Sequence, residues 1–381
     1  MEQWIKCTLG DILNFRRGHD LPKTSMQAGN IPVAGSNGVI GYHNECTPIS
    51  PCITIGRSGN VGTPYIYDTC WAHNTVLYID DYKGNDPKYL YYLLKTLPLS
   101  SFGGGSAVPT LNRNHIHPFE ILFCKDLSEQ KRIANLLSKI DDKIELNRQI
   151  NDNLEQQLQA LYNEWFVENP KSDWHSVNLS EIATFVSGYS YKGNELVENS
   201  DTAMATIKNF ERNGGFKIDG YKPIIPSPKL KVDQRAQLFD ILVAHTDLTQ
   251  NAEVIGNAEI LLSKDIYKDL IFSMDLVKVN AKESFPFQFL LALLLKNPRF
   301  KSHCIGYVNG TTVLHMNKRA LPDYETIIPN LEDAQYLNAT VKAIFCQMSE
   351  NLTEISNLTE MRDTLLPRLM SGELKINDLD S

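Results

Sequence analysis

The chain has 381 residues, 42% of them apolar, which is enough to form more than one hydrophobic core. A net charge of −8 disfavours a free nucleic-acid binder, so DNA contact would need basic residues focused on one face or a partner that supplies phosphate contacts. Seven cysteines without metal-type spacing, no secretory signal and no apolar run long enough to span a bilayer indicate a cytoplasmic protein that binds no metal and no membrane.

The same sequence frame occurs twice in the chain. An opening set of aromatic, aliphatic and glycine residues returns after 170 residues with its spacing unchanged: Trp4, Leu9, Ile12, Phe15 and Gly18 become Trp174, Leu179, Ile182, Phe185 and Gly188. A later set returns after 205 residues: Gly105, Ser106, Val108 and Asn112 become Gly310, Thr311, Val313 and Asn317. Between these points the halves have little in common, so the pattern predicts one architecture that presents two different recognition surfaces.

The first globular region, predicted over residues 1–125, mixes strands and short helices. β-rich runs at Cys52–Gly56, Tyr65–Tyr67 and Thr75–Ile79 predict strands. The apolar spacing of Pro87–Leu97 predicts an amphipathic helix, and Pro286–Leu295 is its counterpart in the second half. We therefore expect an α+β (mixed α/β) fold in both halves.

Several loops of the first region carry side chains that suit DNA. The loop Gly56–Gly62 combines three glycines, which let a backbone approach a phosphate or groove wall, with Arg57 and Asn60. Arginine can bridge guanine O6 and N7, and asparagine can bridge adenine N6 and N7. Ordinary solvated turns are the alternative interpretation. The candidate DNA-contacting residues here are Arg16, Arg17, Ser36, Asn37, Arg57, Ser58, Asn60, Ser106, Asn112 and Arg113.

A long helix is predicted next, over residues 126–169. Apolar and amide residues alternate at spacings of four and three, which is the a/d seam of a coiled coil, and Asp126 or Ser128 can cap its start. Roughly 40 residues at ~1.5 Å each would reach on the order of 60 Å, too long for the inside of a small domain. We therefore expect an extended strut. Its predicted pairing residues are Ile133, Leu137, Ile140, Ile144, Asn147, Leu154 and Leu158.

The second globular region, predicted over residues 170–330, is some 35 residues longer than the first and gains them in its variable part. Its loops again combine glycine, amide, hydroxyl and basic residues, and the same DNA chemistry applies. The candidate DNA-contacting residues here are Tyr189, Tyr191, Lys192, Lys208, Asn209, His245, Thr246, Asn309, Thr311, Thr312 and Asn317.

A second long helix and a polar tail are predicted over residues 331–381. Asn147 and Asn351 occupy equivalent seam positions. Either these are two unrelated polar residues, or their amides meet between antiparallel helices and fix the register. Pro367 is predicted to kink or end this helix, with Gly372 just beyond. The predicted pairing residues are Leu337, Val341, Ile344, Met348, Asn351 and Leu358.

Catalytic signatures are missing from the sequence. It contains no phosphate-binding loop, no [DN]-P-P-[FY] tetrapeptide of amino-methyltransferases, no HExxH pair and no nucleophile elbow. No catalytic residue is therefore predicted. Two alternatives remain beside a DNA reader, namely a coiled-coil scaffold without a DNA role and a self-contained DNA methyltransferase.

The chain resembles the specificity subunits of type I restriction–modification enzymes, and the resemblance covers essentially its whole length. It rests on the duplicated order of globular region and helix, the opening frame, the glycine-rich loop and three runs in or beside the predicted long helices. These segments are Gly56–Gly62, Leu127–Ile144, Leu161–Phe166 and Leu365–Gly372.

The resemblance implies two target recognition domains joined by two long antiparallel helices that form a coiled coil. Each domain would read one half of a bipartite target in double-stranded DNA, and the helices would set the gap and dock two methylation subunits. The chain itself would be non-catalytic and would direct adenine methylation or restriction in phage defence. S-adenosylmethionine, ATP and Mg²⁺ would be bound by the methylation subunits and the added restriction subunits.

Overall fold

The structure, a computed structural model, describes residues 4–103, 110–249, 251–310 and 313–376 and has a mixed α+β fold. Contacts divide the chain into two compact units: unit 1 comprises Met1–Lys143 and Leu358–Ser381, and unit 2 comprises Ile144–Asn357. The helices are α1 (Leu9–Ile12), α2 (Pro87–Thr96), α3 (Arg113–Ile116), α4 (Leu127–Tyr162), α5 (Leu179–Ile182), α6 (Gln288–Leu295), α7 (Pro298–Ile305) and α8 (Leu331–Met370). A π-helical turn, Asn163–Glu168, continues α4.

The strands are short, and most of them pair with partners distant in sequence. Those of unit 1 are β1 (Trp4–Thr8), β2 (Asn14–Arg17), β3 (Ile31–Gly35), β4 (Gly38–His43), β5 (Cys52–Gly56), β6 (Pro64–Tyr67), β7 (Trp71–Ala72), β8 (Val76–Asp81) and β9 (Glu120–Cys124). Those of unit 2 are β10 (His175–Asn178), β11 (Ala183–Ser187), β12 (Thr202–Ala205), β13 (Lys222–Pro223), β14 (Arg235–Ala236), β15 (Ile241–Ala244), β16 (Thr246–Asp247), β17 (Ala258–Ile260), β18 (Asp269–Phe272), β19 (Leu276–Ala281), β20 (Val308–Asn309), β21 (Leu314–Met316) and β22 (Glu325–Ile328).

The two units have matching strand orders, except that one sheet of unit 2 has an additional strand, β14. In unit 1 a sheet of order β2-β8-β5-β6 lies beside a sheet of order β4-β3-β7, and β1 pairs with β9. In unit 2 the matching sheets have the orders β11-β19-β15-β17 and β13-β12-β18-β14, and β10 pairs with β22. The pairs β3–β7 and β12–β18 are both parallel. The duplicated frame of the sequence therefore corresponds to a duplicated fold.

The frame glycines lie where two backbones come too close for a side chain. Gly18 N–H donates to the carbonyl of Val76 at 3.0 Å, and an added Cβ would lie 2.0 Å from the His73 carbonyl oxygen. Gly188 N–H donates to the carbonyl of Leu276 at 3.2 Å, and its added Cβ would lie 2.0 Å from the Ser273 carbonyl oxygen. Only glycine fits such an approach.

The parts of the two long helices that belong to unit 1 run antiparallel. Asp126 caps α4, because its carboxylate accepts from the Ser128 N–H at 2.8 Å. Farther along α4, Asp141 accepts from Arg362 of α8 at 2.8 Å. Residues on the early turns of α4 and the last turns of α8 enter the same buried core of unit 1: Ile133, Ala134, Leu137, Leu366, Leu369 and Met370.

In unit 2 the helices are again antiparallel, but the two seam asparagines do not meet. Asn147 donates to Glu354 at 2.7 Å, and Asn351 donates to Asn151 at 2.7 Å. Of the two alternatives, the one in which the two amides meet is therefore wrong, because the helix offset places Glu354 and Asn151 opposite them. Asn147 and Asn351 are both buried, and these contacts give each side-chain NH2 group a partner, whereas the Asn147 Oδ1 is buried without a hydrogen-bond partner among the described residues.

Most residues predicted to pair the helices are buried. The buried members are Ile133, Leu137, Ile140, Ile144, Asn147, Leu158, Leu337, Val341, Met348 and Asn351, and the half-buried members are Leu154, Ile344 and Leu358.

Pro367 does not end the second long helix, which continues to Met370. A proline this close to the end removes a single helical hydrogen bond, and burial of Leu366, Leu369 and Met370 in unit 1 holds the last turn. The helix stops before Gly372, which has a φ of 71°. Of the two predicted effects of Pro367, a kink or a helix end, the helix end is therefore wrong.

Candidate nucleic-acid interface

The loop Gly56–Gly62 of unit 1 holds the backbone of Arg57 from both sides. Arg57 N–H donates to the Thr75 carbonyl at 2.8 Å, and Leu111 N–H donates to the Arg57 carbonyl at 2.7 Å. Gly56 has no room for a side chain, because an added Cβ would lie 1.7 Å from the Asn60 carbonyl oxygen. The half-buried Arg57 side chain has no hydrogen-bond or ion-pair partner in the part of the chain that the structure describes, so its donors are available to a ligand.

The predicted residues Ser36 and Asn37 form the turn between β3 and β4, beside this loop. An added Cβ on Gly59 would lie 3.4 Å from the Ser36 Oγ, and one on Gly56 would lie 3.4 Å from the Ser36 Cβ. Asn37 is exposed at the tip of the turn. The fold therefore brings two of the predicted loops of unit 1 together.

Asn112 and Arg113 follow Leu111 and so lie next to the Arg57 backbone. Asn112 uses its side-chain oxygen to cap α3, accepting from the Asn114 N–H at 3.0 Å. Arg113 donates to the Phe15 carbonyl at 3.3 Å and remains exposed. The remaining predicted residues of unit 1 have varied surroundings: Arg16, Arg17 and Asn60 are exposed, Ser58 is half-buried, and Ser106 lies outside the described residues.

His245 of unit 2 occupies the position that Arg57 occupies in unit 1. Its N–H donates to the Asp275 carbonyl at 2.8 Å, and its carbonyl accepts from the Met316 N–H at 2.9 Å. The same two bonds link Arg57 to Thr75 and to Leu111. Thr246 pairs with His315 as Ser58 pairs with Thr110. The repeated asparagine follows in both units, and Asn317 accepts from the Arg319 N–H at 2.9 Å as the equivalent cap.

The surroundings of His245 favour its neutral form. Burial lowers the pKa of His245, and the nearby His315 and Lys318 lower it further. The equivalent positions of the two units therefore differ in chemistry. Arg57 offers a charged fork of donors, whereas a neutral imidazole offers one donor and one acceptor.

Tyr189 and Thr246 are buried structural residues rather than exposed readers. The Tyr189 hydroxyl lies 3.0 Å from a Glu195 carboxylate oxygen and accepts from the Ser227 N–H at 3.1 Å. Thr246 donates its hydroxyl proton to Asp275 at 3.1 Å. Both side chains are less than 5% exposed. Their hydroxyl groups thus make contacts within unit 2, and a DNA contact from either residue stays a prediction.

Asn209 is also buried, although Lys208 beside it is exposed. The Asn209 side chain accepts from the Thr206 N–H at 2.9 Å and donates to the Lys217 carbonyl at 2.7 Å, which closes the surrounding turn. Of the other predicted residues in unit 2, Lys192, Asn309 and Asn317 are exposed, Tyr191 is half-buried, and Thr311 and Thr312 lie outside the described residues.

Two features near Arg57 were not among the predicted residues. The first is a group of exposed apolar side chains on β4, next to Asn37. The second is His73, whose Nδ1 lies 3.0 Å from the Thr75 hydroxyl and whose pKa is lowered by burial. The position of β4 beside the glycine-rich loop depends on contacts between distant residues, which the sequence does not show.

The described residues contain no cluster of three or more His, Cys, Asp or Glu side chains placed to hold a metal ion. Within the same residues, no helix is both long enough and apolar enough to cross a bilayer.

Comparison with known proteins identifies relatives of one kind. Residues 1–156 match the family model described as type I restriction modification DNA specificity domain. The MjaIX specificity subunit of Methanocaldococcus jannaschii is 27% identical over 315 residues, covering 77% of this chain and 70% of the relative. The HindI specificity subunit of Haemophilus influenzae is 28% identical over 316 residues, covering 65% of this chain and 68% of the relative.

A solved structure has the same fold. The S subunit of a type I restriction–modification system from M. genitalium matches with a TM-score of 0.63 and 18% identity, and the match covers 96% of both chains.

Proposed function

Because the chain belongs to the family of type I restriction–modification specificity subunits, we propose that it supplies the DNA sequence specificity of such an enzyme. Each globular part reads one half of a bipartite target in double-stranded DNA. The observation that carries this proposal is the duplicated fold with unlike residues at equivalent positions, Arg57 in unit 1 and His245 in unit 2. One scaffold used twice with different side chains suits two different half-sites.

The long helices have a separate role in the proposal. Helices α4 and α8 set the spacer between the half-sites and dock two methylation subunits, and restriction subunits join the full complex. The chain performs no catalysis, and S-adenosylmethionine, ATP and Mg²⁺ are bound by those partners. Antiparallel contacts within each unit, from Asp141 to Arg362 and from Asn147 to Glu354, support a paired rod.

Shortening both helices by one heptad tests the spacer role. Deletion of residues 144–150 together with residues 351–357 removes facing segments, because Asn147 contacts Glu354. A heptad rises about 10 Å, on the order of three base pairs. We expect methylome sequencing of cells carrying the variant and its partners to show unchanged half-sites and a spacer shorter by about three base pairs.

Altered half-sites with an unchanged spacer would contradict this assignment. Two assays separate the proposed function from its alternatives. A gel-shift assay with and without the methylation subunits tests the scaffold, and a methyl-donor binding assay of the purified chain tests the methyltransferase. A scaffold would give no sequence-specific shift in either case, and a self-contained methyltransferase would bind the methyl donor when purified alone.

Arg57→Ala tests the reading loop of unit 1. If the guanidinium bridges a guanine, the variant should lose about 1–3 kcal/mol of binding free energy and relax one position of one half-site. The measurement is competition binding of the assembled complex against targets with single base changes. The control is Arg235→Ala, because Arg235 is an exposed arginine on β14 of unit 2 and is not a candidate DNA-contacting residue. A uniform loss on all sequences with a shallower salt dependence would instead identify Arg57 as a phosphate contact.

A further inference from the structure

The strand β4 of unit 1 carries three large side chains that are partly exposed at the surface of the described residues. Val39 is 47% exposed, Ile40 is 39% exposed and Tyr42 is 60% exposed. The strand lies at the edge of the sheet β4-β3-β7. Exposed apolar groups on an edge strand favour unwanted pairing with other chains, so their retention indicates a contact surface.

A β-bulge directs these side chains outward. In the β3–β4 pairing, Val33 faces Gly41 and Ala34 faces Val39, so the register shifts and Ile40 is left without a partner. A bulge inserts one residue, bends the strand and turns neighbouring side chains that would otherwise alternate. Bulges are frequent next to binding sites for this reason.

The apolar strand is continuous with the candidate reading loop. The turn that starts β4 packs on Gly56 and Gly59 through Ser36, and an added Cβ on Gly38 would lie 3.8 Å from the Tyr65 ring. A ligand bound by Arg57 and Asn60 would therefore approach β4 as well.

The surrounding sequence is almost free of carboxylates. Between Leu21 and Tyr67 the only acidic residue is Glu45, whereas the whole chain has 45 Asp and Glu in 381 residues and would place between five and six in a segment of this length. Lys23 and Arg57 lie in the same segment. A segment with a single carboxylate in an acidic chain suits a polyanion.

The corresponding segments of the two units also differ most in this region. Sixteen residues separate β3 from β5 in unit 1, and 35 residues separate β12 from β15 in unit 2. Two units that read different half-sites must differ in the elements that contact bases. The β3–β4 ribbon meets this requirement, since unit 2 has a longer and different connection at the same place.

We propose that the β3–β4 ribbon enters the major groove of one half-site and that Val39, Ile40 and Tyr42 make apolar contacts to its base edges beside Arg57. A major groove about 12 Å wide admits a two-stranded ribbon, and the thymine methyl group is its apolar feature. This inference rests on the proposed function and adds the residues that contact bases without hydrogen bonds.

The test compares the variant Val39→Ser/Ile40→Ser/Tyr42→Ser with wild type in the assembled methylation complex. We expect the affinity of the variant for the intact target to fall roughly tenfold or more. It should approach the affinity of the wild-type complex for a target in which the half-site read by unit 1 is scrambled. The half-site affected should be the one that Arg57→Ala affects. The salt dependence should stay unchanged, because no phosphate contact is removed. Ile266→Ser, a 75% exposed apolar residue of unit 2, is the matched control.

Equal affinity of variant and wild type would overturn the inference. So would a weaker assembly with methylation subunits combined with normal DNA binding of the complex that does form, because β4 would then contact protein. A thermal unfolding scan checks the fold. If the triple variant is destabilised, Tyr42→Ser alone is compared in the same assay. A wild-type complex that cannot distinguish the intact target from scrambled DNA would refute the proposed function itself.

Discussion

Replacing Gly188 with alanine is expected to lower the free energy of unfolding by about 3 kcal/mol. The added methyl group would lie 2.0 Å from the Ser273 carbonyl oxygen, so one of the two backbones must move. That movement would also disturb the hydrogen bond from Tyr189 N–H to the Phe272 carbonyl, which is 2.7 Å long. Urea denaturation of wild type and variant measures the loss.

The matched control is Gly193→Ala, in the turn that follows. Among the described residues, apart from its chain neighbours, no atom lies within 4 Å of an added Cβ on Gly193. This variant should therefore keep its stability or gain slightly through a less flexible unfolded chain. Gly18→Ala should repeat the Gly188 effect in unit 1, because its methyl group would lie 2.0 Å from the His73 carbonyl oxygen. If Gly188→Ala unfolded at the same urea concentration as wild type, the close approach of the Gly188 and Ser273 backbones would be contradicted.

These glycines explain why the repeat was visible in the sequence. The frame from Trp4 to Gly18 contains residues that have structural roles in the fold, including Leu9, which is fully buried, and Gly18, whose backbone closely approaches the His73 carbonyl. Such positions tolerate few substitutions, so their spacing remained readable. The long helices were also predictable, because a seam of alternating four and three is a local pattern.

The contacts between distant segments could not be read in the same way. Arg57 and His245 are equivalent because the backbone of each makes the same two hydrogen bonds to corresponding segments of its unit. Unequal loops, however, separate them by an offset that differs from both sequence frames. Tyr189 and Asn209 looked like exposed polar readers, yet Glu195 and the Lys217 carbonyl occupy their polar atoms. A polar residue in a loop can serve the turn or a ligand, and only its partners distinguish the two.

The buried ion cluster of unit 2 leads to the second large prediction. Lys296 Nζ contacts Glu259 and lies 3.1 Å from a Glu155 carboxylate oxygen of α4. The side chains of Lys296 and Glu259 are 10% and 6% exposed. Burial alone would lower the pKa of Lys296, but the two carboxylates outweigh it and raise that pKa above its ordinary value.

Lys296→Met should therefore destabilise the protein by about 3–5 kcal/mol, since it leaves a buried carboxylate without its cation. Because the pKa of Lys296 is higher in the folded state, its charge contributes fully to folding stability at any pH below its unfolded pKa of about 10.4. This contribution is lost only as the pH rises through the folded pKa. The loss should accordingly be fully present at pH 7, where thermal or urea unfolding measures it.

A second substitution separates the charge effect from lost packing. The double variant Lys296→Met/Glu259→Gln removes the uncompensated charge. In the wild-type structure the Gly215 N–H donates to Glu259 at 2.7 Å, and the side-chain oxygen of a glutamine can still accept this bond. Most of the stability should return. Lys268→Met is the control, because its ion pair with Asp201 is 75% and 72% exposed and should contribute almost nothing. A double variant as unstable as the single one would mean that Lys296 stabilises the protein through packing rather than through its charge.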